Sequence, residues 1–458
     1  MKATKIVATL GPASEDTIPE LIQAGVNVFR LNASHGNHDY MLKLIKKIRE
    51  TDKSIAIMLD TKGPEIRTRE EKTFKKDEII KLTNNEEEGF YIGYAHLDQL
   101  SKGNKILIDD GHAELEITNT LEARALEDAI IGAKKTVTIK GHNVQIPFLS
   151  KQDEQDIDFA IEHKLDFIAA SFVRTKEEVE QLKDYIQEKQ STIRVIAKIE
   201  HEQAINNIDS IIKASQGIMV ARGDLGVELP LEQVPKAQAN IIKKCNELGR
   251  PVIVATQMLE SMTQNPRPTR AEVGDVATAI LQGADAIMLS GETAAGKHPL
   301  RAVQAMTTIA KAYEHEQAPD ISDDYYCQTY YEKRATSLFV TRAAALAAKK
   351  LKTAAIITPT ESGYTPRKVS RFKPQTKIIA VTSHEHVQRQ LQLTWGVIPL
   401  IGQQTHEDLD DMIKNSIRLA YKEQLVTKED KVVITAGHEL SKSKLTNNLH
   451  IFTVKNCL

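Results

Sequence analysis

Apolar residues come along this chain in short runs, separated by longer stretches where they recur every three or four positions. The runs fall at 5–10, 26–31, 54–59, 166–172, 194–199, 217–221, 251–255 and 286–289. Between most of them the spacing predicts amphipathic helices, as in 175–190, where Val179, Leu182 and Ile186 share a face. Near-continuous apolar strands joined by helical crossovers predict a parallel sheet buried on both sides. Eight such units predict a (β/α)8 TIM barrel. A doubly wound sheet fits the alternation too, but gathers fewer strand ends around one site.

The rhythm breaks twice. From about 69 to 139 the helical spacing gives way to strand patterns with turn signals. There "ILIDDGHAELEI" (106–117) alternates on both sides of Asp110-Gly111, as a hairpin does. This predicts a β domain, barrel-like and lid-forming, inserted after the third barrel strand. Its acidic run Glu86-Glu87-Glu88 reads as a solvated turn. After a polar stretch, a helix over 332–351 opens a third unit with strands at 353–358, 377–381, 397–401, 431–435 and 450–454. The expected division is a barrel over 1–68 and 140–331, an inserted β domain over 69–139, and a C-terminal α/β domain with a mainly parallel sheet over 332–458.

Length and charge narrow the function. A chain of 458 residues exceeds one compact domain. Lys+Arg number 60 against Asp+Glu 62, so no basic field points to nucleic acid. No apolar run approaches a membrane span, and the apolar start is too short for a signal-peptide core. Cys245, Cys327 and Cys457 lie far apart without metal-like spacing, as suits a reducing, cytoplasmic setting. Arg222-Gly223-Asp224 resembles an adhesion tripeptide, but it ends a buried strand of a chain expected to be cytoplasmic, and that reading is rejected.

Barrel chemistry sits at the carboxyl ends of strands. Strand two ends in "FRLNASHG" (Arg30, Asn32, Ser34, His35), and strand three in "LDTKGPEIRT" (Asp60, Thr61, Lys62, Glu65, Arg67). Strand five ends in "AKIE" (Lys198, Glu200), and strand six in "ARGDLG" (Gly223, Asp224). Strand seven ends at Thr256, and strand eight at Ser290 and Glu292. Any one of these reads equally well as an ion pair or a cap. Six ends converging with cations, carboxylates and hydroxyls do not, because unpaired buried charge is costly. Glu200 and Asp224 are hard oxygen ligands suited to Mg²⁺ or Mn²⁺. Asn32, Ser34, Asp60 and Thr61 suit a weakly charged hard cation. Arg30 and Lys198 suit a phosphate and the charge that develops as it transfers. Together they describe phosphoryl transfer without a Walker A motif or a kinase Gly-rich loop.

At this point the chain resembles the pyruvate kinases, over essentially its whole length. The resemblance is carried by "TKIVATLGPAS", "NVFRLNASHG", "LDTKGPEIRT", "ILIDDG", "DFIAASFVR", "GIMVARGDLGVE", "VIVATQMLESM", "PRPTRAEV" and "DAIMLSGETAAGKHP". It implies transfer from phosphoenolpyruvate to ADP, giving pyruvate and ATP, in a cytoplasmic homotetramer. It implies Mg²⁺ on Glu200 and Asp224, and K⁺ on Asn32, Ser34, Asp60 and Thr61, with Glu65 the residue of K⁺-requiring members. Lys198 and Arg30 match phosphate-handling positions, and Gly223, Asp224 and Thr256 the substrate carboxylate. Thr256, with Ser290 and Glu292, falls where the enolate is protonated. Asn32, His35, Arg67 and Lys135 match nucleotide-side positions. Two stretches depart from the pattern. "KKTVTIKG" puts Thr136, Thr138 and Lys140 where Gly, Asn and Pro are usual, which opens the hinge geometry. "SKSKLTNN" replaces a Gly-containing loop near the C terminus. The turn "TESGYT" (Thr360, Ser362, Gly363, Thr365) is kept and suits the phosphate of a sugar-phosphate or nucleotide effector, or simply caps a helix. A metal-dependent lyase and a non-catalytic paralogue are the competing functions; the inserted domain and the Arg30/Lys198 pair weigh against the first, the filled catalytic positions against the second.

Overall fold

The computed structural model describes every residue except 1, 35, 86–88, 143, 317–334, 405–406 and 438–445. His35, the Glu86–Glu88 run, Cys327 and most of the altered C-terminal loop therefore lie outside the described residues.

Eight parallel strands close into a barrel: Lys5–Thr9, Val28–Asn32, Ala56–Asp60, Phe167–Ala170, Arg194–Ile199, Gly217–Ala221, Val252–Ala255 and Ala286–Leu289, here barrel strands one to eight. Strand one pairs with both strand two and strand eight, which closes the ring. Alternation along each strand sorts two cores. Phe29, Leu31, Ile57, Leu59, Ile168 and Val220 pack outward against the helices. Val28, Met58, Ala169, Ile196 and Met219 point inward and plug the barrel, joined by Leu393 from the C-terminal domain. Several crossover helices start at reciprocal caps: Ser150 with Asp153, Thr175 with Glu178, and Thr269 with Glu272. Each satisfies backbone donors that the first turn leaves open.

The inserted segment forms a seven-stranded sheet and a two-stranded one around its own apolar core. The hairpin is present, Lys105–Ile108 against Ala113–Asn119, with Asp109, Asp110 and Gly111 all at positive φ (54°, 56° and 91°). The chain enters this domain through Ile66–Arg67 and leaves through Thr136–Lys140, and the two segments pair antiparallel. The altered return is a regular strand. Positive φ falls on Lys134 (59°) and Gly141 (78°) instead, so Thr136 occupies a position that asks nothing special of its backbone. Val137 and Ile139 enter the lid core, while Thr136 and Thr138 face the barrel mouth.

The C-terminal sheet runs Val397–Ile401, Lys377–Thr382, Ala355–Pro359, Lys431–Ala436, Asn448–Thr453 in spatial order, parallel except for the last strand. It packs beneath the barrel. Asp166, just before strand four, takes Arg49 (3.0 Å), the C-terminal domain's Arg389 (2.7 Å) and the Ile57 N–H (2.8 Å). Asp285, just before strand eight, pairs with Lys373 at 2.7 Å and accepts from the Val252 N–H. Cys245 and Cys457 are buried free thiols. Among the described residues no helix is long and apolar enough to cross a membrane.

Candidate active site

The inward alternation that plugs the barrel continues upward into charge. Arg30 follows Val28 by two residues, Asp60 follows Met58, and Lys198 follows Ile196, so all three side chains form the layer above the plug. Asp60 is the centre of this layer. Its carboxylate accepts from Arg30 Nε at 2.6 Å, Lys198 Nζ at 3.0 Å and Ser171 Oγ at 3.2 Å. Burial alone would raise its pKa, but Arg30 and Lys198 outweigh burial and hold the carboxyl below its usual range.

Lys198 also reaches Glu200 Oε1 at 2.9 Å and donates to Ser171 Oγ at 2.7 Å. Burial works against its charge, yet Asp60 and Glu200 keep the ammonium protonated well above its ordinary value. Glu200 accepts from the Phe172 N–H at 2.7 Å, with Phe172 at positive φ (54°). Burial, followed by the nearby Asp224 charge, pushes the Glu200 carboxyl up to about 7 against the pull of Lys198. A buried carboxylate with a second hard carboxylate beside it at the barrel mouth is a donor set that a divalent cation fits.

Strand six runs directly into the short helix Arg222–Glu228, with Asp224 in its first turn. Arg222 turns away from the mouth. Its guanidinium holds Asp275 at 2.7 Å and the carbonyls of Thr256 (2.9 Å) and Gln257 (3.1 Å). Those two residues sit at positive φ, 67° and 54°, and Arg222 braces that turn. The Thr256 hydroxyl accepts from the Gly223 N–H at 2.7 Å and donates to the Ala255 carbonyl. At strand eight the Ser290 hydroxyl is buried with no partner among the described residues, and Glu292 accepts from the backbone N–H groups of Leu259 (3.0 Å) and Ser290 (2.8 Å).

The remaining residues are less concentrated. Asn32 Oδ1 accepts from the Ser34 N–H, and the Thr61 hydroxyl accepts from the Ser171 N–H. Arg67 is held by Glu65 and the Lys134 carbonyl, and Lys135 by Asp109 at 2.9 Å. A cavity of about 80 Å³ remains between lid and barrel, lined by Asp110, Thr136, Thr138, Glu200 and Asp224. Far from it, the Thr360 hydroxyl accepts from the Gly363 N–H, the Ser362 carbonyl takes Arg194 and Arg367, and Thr365 meets Thr446 at 2.7 Å. Sequence reasoning missed Ser171 and Thr9, the latter accepting from Arg30 Nη1 at 3.0 Å. Both stand at the ends of barrel strands, four and one, so the strand-end rule covers them.

A closed barrel with Arg30, Lys198, Asp60, Glu200 and Asp224 at one mouth defines a (β/α)8 enzyme built for an anionic substrate. Residues 1–303 match the pyruvate kinase barrel domain, and residues 339–452 the pyruvate kinase alpha/beta domain. Pyruvate kinase of Sporosarcina psychrophila is 42% identical over the whole chain, and that of Geobacillus stearothermophilus 43%; the chain spans 81% of each relative's length. The crystal structure of a pyruvate kinase from Cryptosporidium parvum superposes with a TM-score of 0.89 at 35% identity, covering 99% of this chain and 96% of that one. The chain belongs to the pyruvate kinase family, phosphotransferases that move the phosphoryl group of phosphoenolpyruvate to ADP.

Proposed function

We propose that the layer anchored on Asp60 is the transfer site, with Lys198 and Arg30 as its phosphate-handling cations. The observation that carries this is one buried carboxylate holding both cations beside Glu200. Asp60 fixes the two groups before substrate arrives, so little reorganisation is left for the reaction. Arg30 binds the substrate phosphate, and Lys198, kept charged, faces the phosphoryl oxygens. A β-phosphate oxygen of ADP attacks phosphorus in line, the bond to the enol oxygen breaks, and the enolate's terminal carbon takes a proton. Gly223, Asp224 and Thr256 surround the substrate carboxylate. The proton arrives through the Thr256 hydroxyl, ordered water and the unpartnered Ser290 hydroxyl. Sequence reasoning gives Glu292 a relay role; since both its oxygens already receive N–H groups, we assign it to positioning Ser290.

Glu200 and Asp224 hold Mg²⁺ or Mn²⁺ in this reading, and Asn32, Ser34, Asp60 and Thr61 hold K⁺, with Glu65 beside them. When bound, the divalent ion neutralises charge on the phosphoryl and enolate oxygens. Arg67, Lys135, Asn32 and His35 form the nucleotide side. Thr360, Ser362, Gly363 and Thr365 take the phosphate of a sugar-phosphate or nucleotide effector. The division into 1–68 with 140–331, 69–139 and 332–458, the homotetramer and the cytoplasmic location belong to the same reading.

Pyruvate release from phosphoenolpyruvate, with and without ADP, Mg²⁺ and K⁺, tests it. Turnover is expected only with all three. Lys198→Met is expected to lower kcat by about a thousandfold while phosphoenolpyruvate binding, followed by calorimetry, persists. Near-native turnover by this variant sinks the assignment.

A further inference from the structure

Val144–Ile146, on the way back from the inserted domain to the barrel, is gripped from two sides, and no step of the transfer reaction uses that grip. Val144 and Ile146 pack their side chains against the inserted domain's apolar core. Between them, the Gln145 N–H donates at 3.2 Å to the hydroxyl of Tyr94, a residue buried in the same core. That hydroxyl also meets His142 Nε2 at 2.9 Å. The carbonyls of Val144 and Ile146 go to the barrel instead, accepting from Arg174 Nη1 at 3.0 Å and Nη2 at 2.9 Å.

Arg174 is itself fixed to the barrel. It follows strand four, and its side chain is only 11% exposed. Glu178 Oε1 accepts from its Nε at 2.8 Å and Nη2 at 2.6 Å, and Glu178 Oε2 from its backbone N–H at 2.6 Å. The same Oε2 accepts from the Thr175 N–H, part of the reciprocal cap that starts the helix Lys176–Glu188. The Arg174 carbonyl accepts from Asn207 Nδ2 at 3.0 Å. A planar guanidinium held at this many points has one orientation, and its remaining donors grip a segment that belongs to another domain's core. Arg174, Val144 and Ile146 also line the cavity between lid and barrel, together with Glu200 and Asp224. The grip is therefore part of the wall of the mouth.

We propose that Arg174 is a positioning residue that latches the inserted domain over the mouth, and that this latch sets how the phosphoryl group divides between ADP and water. The proposal rests on the reading of the mouth as the transfer site. With the latch made, the wall keeps water from the phosphorus. With it loosened, a water oxygen attacks phosphorus in place of the ADP oxygen, and the same bond to the enol oxygen breaks. One water proton stays on the phosphate and the other passes to solvent, while the enolate's terminal carbon is protonated as before. The products are then pyruvate and inorganic phosphate.

The test follows ATP and inorganic phosphate together in one reaction of the full chain with phosphoenolpyruvate, saturating ADP, Mg²⁺ and K⁺. The phosphate-to-ATP ratio belongs to each folded molecule, so a smaller folded fraction does not move it. Arg174→Lys keeps the charge and gives up the fork. Its ratio is expected to rise at least about tenfold over wild type, the effect of one charge-assisted hydrogen bond. Tyr94→Phe loosens the inserted domain's hold on the same segment, leaves Arg174 in place, and is expected to raise the ratio by a smaller factor. A native ratio in Arg174→Lys overturns the proposal; where that variant does not fold, a native ratio in Tyr94→Phe does so. The reading of the mouth fails separately, through near-native turnover of Lys198→Met, in which this ratio plays no part.

Discussion

Asp60 shows why single residues here cannot be ranked by charge alone. It neither attacks nor transfers a proton in the proposed reaction, yet it fixes where Arg30 and Lys198 stand. Glu292 is a second residue of this kind, and its substitution by Gln gives a sharp test. One of its two acceptors becomes a donor facing a backbone N–H, which costs about 1–3 kcal/mol. A lower thermal midpoint and a lower kcat are expected, with the pH profile of kcat unmoved; a displaced profile means that Glu292 itself carries the proton. The half-buried Lys2 and the buried Lys5 make a separate statement about stability. Both are held below the ordinary value of 10.5, to about 7 and about 8, so the unfolded chain binds the extra protons between those limits. Stability therefore rises with pH across that window. Urea unfolding of the Lys2→Met/Lys5→Met variant should show a flatter rise than wild type; equal slopes refute the assignment. Most residues of the mouth were legible, because a polar group at the end of an apolar run is visible in one dimension. Ser171 and Thr9 obey the same rule and were passed over. Their partners, Lys198 and Arg30, lie on other strands, and no spacing announces that.

At the level of elements, the sequence exposes strands far better than it exposes what braces them. Eight apolar runs give the barrel, and their alternation carries Arg30, Asp60 and Lys198 into the layer above the plug. Arg222 is the contrasting case. Read in its run, it is a charge next to Asp224; in space it reaches across to strand seven and holds the left-handed turn at Thr256 and Gln257. That contact spans 34 residues and leaves no local pattern. Arg222→Lys keeps the charge and loses the fork that grips two carbonyls and Asp275 at once. A fall in kcat of about tenfold to a hundredfold is expected, with the overall fold kept by circular dichroism. Native kcat in this variant shows that the Thr256 turn holds itself.

For the whole molecule, the buried pairs at Asp166 and Asp285 tie the barrel's lower face to the C-terminal domain. Burial pushes the Asp166 carboxyl up despite Arg389 and Arg49, so its charge depends on both partners. Asp166→Asn leaves two guanidiniums short of an anion and is expected to cost about 3–5 kcal/mol in urea unfolding. A loss below about 1 kcal/mol argues that the domains cohere without this pair. Neither aspartate was singled out in the sequence, since each sits before a strand rather than at its chemical end. The lid is attached quite differently. Its entry and exit strands are hydrogen-bonded neighbours, Ile66 opposite Val137 and Arg67 opposite Thr136. Neighbouring strands lie only about 5 Å apart, a gap that a two-residue turn can bridge. The whole insert can thus be lifted out, lengthened or exchanged at one point without disturbing a single barrel strand. The inserted domain is a detachable part on the ring, open to replacement by any domain whose ends meet side by side.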